Sequence, residues 1–296
     1  MDAETRREVL SDAQVRHYRE RGYLVLERRI PEDVLQAIRT EIARFVEEAR
    51  GLTASNDRLD LEDSHRPEAP RLRRVKAPYQ LSPVFRDLAR SDWVLAPVRD
   101  LLGPNLRLHG SKLNMKAAGY GAAVEWHQDW AFYPHSNDDV LAVGIMIDDM
   151  AAENGPLMVF PGSHQGPVHD HHSDGVFAGA MDLGASALDL QDAVMLTGPA
   201  GSISLHHVRT VHGSAVNRSD RDRRLLLYEI AAADAFPLVG STSPYEDFEE
   251  FQSRMLCGQA TLEPRLRAAP VRIPQPPPAT QGSIYEIQKA LKARSF

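Results

Sequence analysis

The chain has 296 residues, of which 43% are hydrophobic and 25% charged, with a formal net charge of −7; this is the composition of a globular protein long enough to bury a large core in one domain. The lone Cys257 excludes an internal disulfide or a thiolate-held cluster, and the acidic balance without a basic stripe argues against a nucleic-acid partner. No apolar run nears the ~18 residues of a membrane helix, and the start Met1-Asp2-Ala3-Glu4 lacks a signal peptide's basic and apolar regions, so we expect a cytoplasmic protein with no membrane contact.

In chain order, Ser11 is placed to cap a helix carrying Val15 and Tyr18 that stops at Gly22. Pro31 opens a second, with Val34, Leu35, Ile38, Ile42, Phe45 and Val46 on one face. Residues 51–70 are polar and aperiodic and read as a mobile or lid-like loop. A third helix is expected from about Ser82 to Leu102, stopped by Gly103-Pro104. Strands follow. Leu106 and Leu108 share one parity and Leu113 and Met115 the other, which predicts a bulge near Gly110 that re-aims Lys112 and Asn114. Leu141, Val143, Ile145 and Ile147 mark another strand, and Pro274 to Pro278 an extended tail.

Chemistry concentrates in Glu125-Trp126-His127-Gln128-Asp129-Trp130. Residues i and i+2 of a strand share a face, so His127 and Asp129 can grip one metal while His212, on a distant strand, adds a third ligand. Two imidazoles and a carboxylate leave coordination positions open, which suits non-haem Fe(II) and argues against a closed structural zinc site. Arg223 follows His212 by eleven residues, in the apolar run Arg223-Arg224-Leu225-Leu226-Leu227-Tyr228-Glu229-Ile230. A guanidinium on a buried strand needs a planar acid partner. Arg223 and Arg224 as a solvated pair at a strand end is the other reading.

With Glu153-Asn154-Gly155-Pro156-Leu157-Met158-Val159-Phe160-Pro161-Gly162-Ser163-His164 and His212-Gly213-Ser214 added, the ordered motifs resemble the phytanoyl-CoA hydroxylase-like family of Fe(II)/2-oxoglutarate dioxygenases, which includes ectoine hydroxylase. Leu10-Ser11 through Gly22-Tyr23-Leu24-Val25-Leu26 is similar to the family's opening helix and first strand, and the likeness spans roughly residues 10 to 235. It implies a mainly β fold with flanking helices, a double-stranded β-helix (jelly-roll, cupin-like) barrel. We expect one domain over 1–296: a helical part at 10–104, the barrel core at 105–235 and a C-terminal extension at 236–296. The resemblance further implies that His127, Asp129 and His212 bind Fe(II), with 2-oxoglutarate and O2 as co-substrates. Succinate and CO2 would be released as an unactivated C–H bond of a small molecule is hydroxylated. Related iron halogenases carry a small residue where this chain has Asp129, so the carboxylate points to an oxygenase outcome. Arg223 would anchor the distal carboxylate of 2-oxoglutarate, with Ser214 as a hydroxyl donor. Ile145 stands where some members have an aromatic residue.

The chain has 29 Arg and only 5 Lys, and before Lys289 the lysines are Lys76, Lys112 and Lys116. Lys112 and Asn114 are candidates for contacting the co-substrate or the substrate, and Lys112 or Lys116, with His135, for holding an anionic substrate; accidental lysines on the barrel exterior are the alternative. The loop after Asp129 puts Trp130, Tyr133 and His135 at the expected barrel mouth, as substrate contacts or as rim packing. Gln128 should point away from the metal. His164, His169, His171 and His172 read as a polar loop rather than a second metal site, and His206 and His207 as cavity wall or as partners of buried backbone groups. A cupin-like protein that binds ligand without turnover, or uses another metal, is the competing function. The substrate's identity and the oligomeric state are not written in the sequence.

Overall fold

The computed structural model describes residues 8–119, 121–239, 247–278, 284–288, 291 and 294–296. Helices α1 (Asp12–Arg21), α2 (Glu32–Ala49), α3 (Pro78–Leu81), α4 (Pro83–Ala89) and α5 (Asp92–Leu102) belong to the first third, and α6 (Phe248–Ser253) and α7 (Ile284–Ile287) to the C-terminal part. Fourteen strands are described: β1 (Tyr23–Leu26), β2 (Leu59–Leu61), β3 (Leu72–Lys76), β4 (Leu106–Lys116), β5 (Val124–His127), β6 (Val140–Met146), β7 (Leu157–Val159), β8 (His172–Ser173), β9 (Val176–Phe177), β10 (Val194–Leu196), β11 (Ile203–His207), β12 (His212–Ser214), β13 (Arg223–Ala232) and β14 (Met255–Cys257). Twelve of them form a jelly roll of two antiparallel sheets that do not close into one barrel, and β8 and β9 pair separately as a two-stranded ribbon. The larger runs β1-β11-β6-β13-β4-β3-β2 with β14 also on β4, and the smaller runs β10-β7-β12-β5.

Local chemistry explains the helix ends. Ser11 and Gln14 form a reciprocal capping box on α1, which stops at Gly22 with φ +80°. The apolar stripe of α2 buries Leu35, Ile38, Ile42 and Phe45 in the main core together with Leu141, Val143, Ile145 and Ile147 from β6 and its end. The bulge expected near Gly110 is present: on β4, Glu229 faces Gly110 but Ile230 faces Leu108, so His109 is the extra residue. Leu106 and Leu108 thereby join Leu113 in one core while Lys112 and Asn114 face the other way.

Two expectations need correction. The helix expected over 82–102 is two, because α4 ends at Ala89 and Ser91 begins α5. Residues 51–70 are not an open lid: β2 lies within them, pairs with β3, and buries Leu59, Asp60, Leu61 and Glu62. Their polar residues are used internally, with Asp60 on Lys76 and Glu62 on Arg73, which a hydrophobicity pattern cannot show.

Candidate metal centre and co-substrate chamber

The smaller sheet brings two histidines together. His127 and His212 are direct cross-strand partners on β5 and β12, with ring centroids 4.1 Å apart. Asp129 follows in a 3-10 turn, where its amide carbonyl accepts from Phe132 N–H. The ligand-capable atoms of His127, Asp129 and His212 lie within 4.8 Å of one another, and all three residues are buried. Each imidazole is oriented by its own backbone: His127 Nδ1 contacts Glu125 O at 2.8 Å and His212 Nδ1 contacts Thr210 O at 2.9 Å. Nδ1 therefore carries the proton and each Nε2 presents a lone pair toward Asp129 Oδ1, 3.9 Å away in both cases. That separation is too long for a hydrogen bond and fits donors sharing one ion at ~2.0–2.2 Å.

Electrostatics favour metal-ready protonation states. Burial pushes His127 down to about 4 and His212 well below its ordinary value, so both rings are neutral at pH 7. Burial alone would raise the Asp129 carboxyl, but the neighbouring charges, the Lys112 ammonium first among them, outweigh it and hold the carboxyl well below the usual range. His206 stands beside this group, its Nε2 3.5 Å from Asp129 Oδ2 and its ring 4.4 Å from that of His212.

A narrow chamber opens from the candidate metal ligands between the two sheets. Lys112, Asn114, Leu225, Leu227 and Arg223 line it from the larger sheet and Leu157, His212 and Ser214 from the smaller. Arg223 is 2% exposed and donates through one NH2 to Gly155 O at 2.6 Å, while its Nε has no partner among the described residues. No carboxylate pairs with it among the described residues, and burial lowers it to about 10. Its neighbour Arg224 faces the other side and takes Asp148 in a bidentate pair. The Gly155 carbonyl is delivered by a tight turn: Asn154 bonds Ala151 N–H and Asp149 O, and Gly155 sits at φ +67°, where a Cβ would lie 2.4 Å from Ala215 O.

The other predicted residues divide. Lys112 lies at the boundary of the chamber, ion-paired to Glu229 at 2.7 Å and 3.9 Å from Asp129. Asn114 faces the chamber with its Oδ1 unpartnered among the described residues. Ser214 does so too, its hydroxyl accepting from Lys116 Nζ at 2.8 Å. Lys116 is neither exterior nor a cavity residue: its ammonium also donates to Ser214 O and Ala215 O and ties β4 to β12, so it is no substrate contact. Trp130 is likewise corrected. It is fully buried against Val140, Val208, Ala231 and Ala235, its Nε1 donating to Pro270 O, because the 3-10 turn sends it outward into a satellite core. His135 is packed edge-on behind His109 and lines no part of the cavity that His109 and Tyr133 border. Tyr133 does reach that cavity, where burial and the nearby Asp129 and Glu229 carboxylates push its phenol well above the ordinary value.

Gln128 points away as expected, bonding Pro167 O, Arg209 O and His169 N–H. The four loop histidines gather no metal site among the described residues. His171 accepts from Gln128 N–H, His164 contacts Arg19 O, and His172 pairs with Asp170.

An outer cavity of about 830 Å³ adjoins the metal site through Asp129 and Lys112; Arg74, Tyr79, His109, Tyr133, Glu229 and Ile284 are among its lining. Arg74 and Ile284 escaped the sequence reading because nothing local marks them. Glu229 was findable, as the one acid in an apolar strand at the parity of Arg223, and Gly110 makes room for it: a Cβ there would lie 2.4 Å from Glu229 Oε2.

Residues 18–225 match the phytanoyl-CoA dioxygenase (PhyH) family. The chain is 39% identical over 287 residues to a probable alpha-ketoglutarate-dependent hypophosphite dioxygenase of Stutzerimonas stutzeri, covering 96% of this chain and 99% of that protein. It is 29% identical over 238 residues to L-proline trans-4-hydroxylase of Streptomyces griseoviridis, covering 74% and 85%. Its fold is similar to that of EctD from S. alaskensis with bound Fe, with TM-score 0.63 and 24% identity over 77% of this chain and 79% of that one.

Proposed function

Because the chain belongs to the phytanoyl-CoA dioxygenase family, we propose that it is an Fe(II)- and 2-oxoglutarate-dependent dioxygenase that hydroxylates a C–H bond of a small anionic organic molecule. His127, Asp129 and His212 would hold the iron, and their neutral imidazoles and ionised carboxylate are the donor forms it needs. Bound iron with 2-oxoglutarate and O2 supplies the oxidising power, releasing succinate and CO2 and passing one oxygen atom to the substrate. The protein positions and shields: Leu157, Leu225 and Leu227 exclude water from the chamber, and Ser214 and Asn114 offer polar contacts to the co-substrate.

The observation that carries this reading is Arg223. A buried guanidinium without a carboxylate is costly unless a ligand supplies the anion, and it lines the same chamber as the metal ligands. A metal-binding protein with no 2-oxo acid chemistry has no use for that pairing. The substrate's charge is inferred from Arg74, which borders the outer cavity, has its Nε unpartnered and pairs with no acid among the described residues. The outer cavity's size is that of sites for organic ligands, which favours C–H hydroxylation. A second reading, oxygen insertion into a P–H bond of hypophosphite to give phosphite, is favoured by the relative at 39% identity. We place the enzyme in the cytoplasm, in keeping with its lone cysteine and with no described helix long and apolar enough to cross a membrane.

The test is aerobic turnover of purified protein with Fe(II), 2-oxoglutarate and a panel of hypophosphite, small carboxylates and phosphonates, reading succinate and the gain of one oxygen. A hydroxylated organic anion supports the first reading and phosphite the second. Absence of both substrate-dependent succinate and the anaerobic visible band of an Fe(II)·2-oxoglutarate chelate would return the chain to a non-catalytic binding role.

A further inference from the structure

The co-substrate chamber is closed by a segment from outside the jelly roll. Ile284 and Tyr285 of α7 line it together with Arg223, Asn114 and Ser214. This short helix is strapped to the body at several points. Glu286 pairs with Arg73 at 2.9 Å, and the Arg73 guanidinium lies 5.5 Å from the Tyr285 ring centre. Gln288 accepts from Glu125 N–H at 3.0 Å and donates to Gly179 O at 2.8 Å. Further on, Ser295 N–H donates to Glu125 Oε2, and the Phe296 ring packs 5.3 Å from Trp126.

So held, Tyr285 is 6% exposed, and its hydroxyl has no hydrogen-bond partner among the described residues. Buried phenols ordinarily find one, because a buried donor left unmet forfeits its hydration without compensation. Arg223 Nε and Asn114 Oδ1 are unpartnered in the same chamber. The Tyr285 phenol and the Arg223 guanidinium are thus two unmet donors, one of them cationic, lining one enclosed space, which suits an anion with several acceptor positions. A carboxylate offers about four lone-pair sites, of which a guanidinium fork takes two.

We propose that the Tyr285 hydroxyl donates a hydrogen bond to the distal carboxylate of 2-oxoglutarate beside Arg223, making the C-terminal strap part of the co-substrate site. This rests on the assignment of Arg223 as the anchor. Burial keeps the phenol protonated and therefore a donor. Its neighbour Ile284 borders both the inner chamber and the outer cavity, whereas Tyr285 is absent from the outer cavity's lining and borders the inner chamber and a separate cleft beside Arg73, which favours the co-substrate over the substrate as the phenol's partner.

The experiment is anaerobic titration of the Fe(II) protein with 2-oxoglutarate, by calorimetry, in wild type, Tyr285→Phe and Arg223→Ala. Pyruvate, a 2-oxo acid without the distal carboxylate, is titrated in parallel. Tyr285→Phe keeps the ring, so the Fe(II) affinity and Tm should hold, while the 2-oxoglutarate Kd rises roughly tenfold or more, as for loss of a hydrogen bond to a charged group; the pyruvate Kd should stay put. Limited proteolysis adds a second readout: 2-oxoglutarate should slow cleavage of the C-terminal segment in wild type and less so in the variant. An unchanged 2-oxoglutarate Kd in Tyr285→Phe, with weakening in Arg223→Ala, overturns the role of Tyr285 and leaves the anchor standing. Equal weakening of both 2-oxo acids makes Tyr285 merely structural and also overturns it. A wild-type Kd in Arg223→Ala removes the anchor itself.

Discussion

Arg223 and Arg224 are consecutive in the chain and point to opposite sides of β13: Arg224 holds Asp148 through Nε at 2.9 Å and NH2 at 2.5 Å, whereas Arg223 faces the chamber beside His127, Asp129 and His212 and, among the described residues, donates to the Gly155 carbonyl alone. The two-residue alternation of a strand separates a structural ion pair from the proposed ligand anchor one position away.

That separation predicts different phenotypes. Arg223→Ala should raise the KM for 2-oxoglutarate strongly, consistent with ~2–5 kcal/mol for truncating one partner of a buried charge pair, with little change in iron affinity. Arg224→Ala should leave that KM alone and cost stability of about 1 kcal/mol or less, because its pair is partly exposed. Steady-state kinetics with 2-oxoglutarate varied checks both; a raised KM in the Arg224 variant alone would reverse the assignment.

Asp129→Ala should abolish succinate formation while the fold persists, since the side chain faces a ligand site rather than the apolar core. Succinate assay and thermal unfolding of the same preparation check this. Near wild-type turnover would remove Asp129 from the ligand set.

Lys112 and Glu229 form a largely buried pair, with side-chain exposures of 18% and 8%. Lys112→Met strands the carboxylate and should destabilise by ~3–5 kcal/mol, and adding Glu229→Gln should recover much of the loss. Burial alone would lower the Lys112 ammonium, but Glu229 and Asp129 prevail and raise it. With its folded value raised, the lysine's contribution is complete below its unfolded value of ~10.4 and is lost as pH climbs through the folded one, so wild type and Lys112→Met should converge at strongly alkaline pH. Urea unfolding at pH 8 and near pH 11 measures this, and a constant gap between them would contradict it.

The metal-free protein should lose stability in mild acid. Burial pushes His171 down to about 3 and His127 to about 4. Both stay neutral when folded but take a proton in the unfolded chain below ~6.5, so the unfolded state binds more protons and stability falls as pH drops from ~6.5 toward 4. Each contributes up to ~1.4 kcal/mol per pH unit. Urea midpoints at pH 7 and pH 5 test the sign, and a flat profile would show that these rings are not buried neutral.

The sequence by itself determined the ligand chemistry and the elements around it. Leu141 to Ile147 alternate cleanly, and the parity switch between Leu108 and Leu113 announces the bulge at His109, because side-chain direction follows backbone period; Asp129, expected beside His127 by strand parity, instead joins it from the 3-10 turn after β5. Tertiary structure decided what lies beyond the reach of a period. Trp130 reads the same at a cavity mouth or in a core until the turn after β5 sends it into one; Lys116 reads as a substrate cation until β12 places Ser214 and Ala215 carbonyls against it. Tyr285 lies more than sixty residues from Arg223 in a stretch without pattern, and only chain packing brings the two to one chamber. A strand's periodicity fixes which way a residue faces, whereas the group it meets is fixed by contacts between distant segments, which leave no local trace.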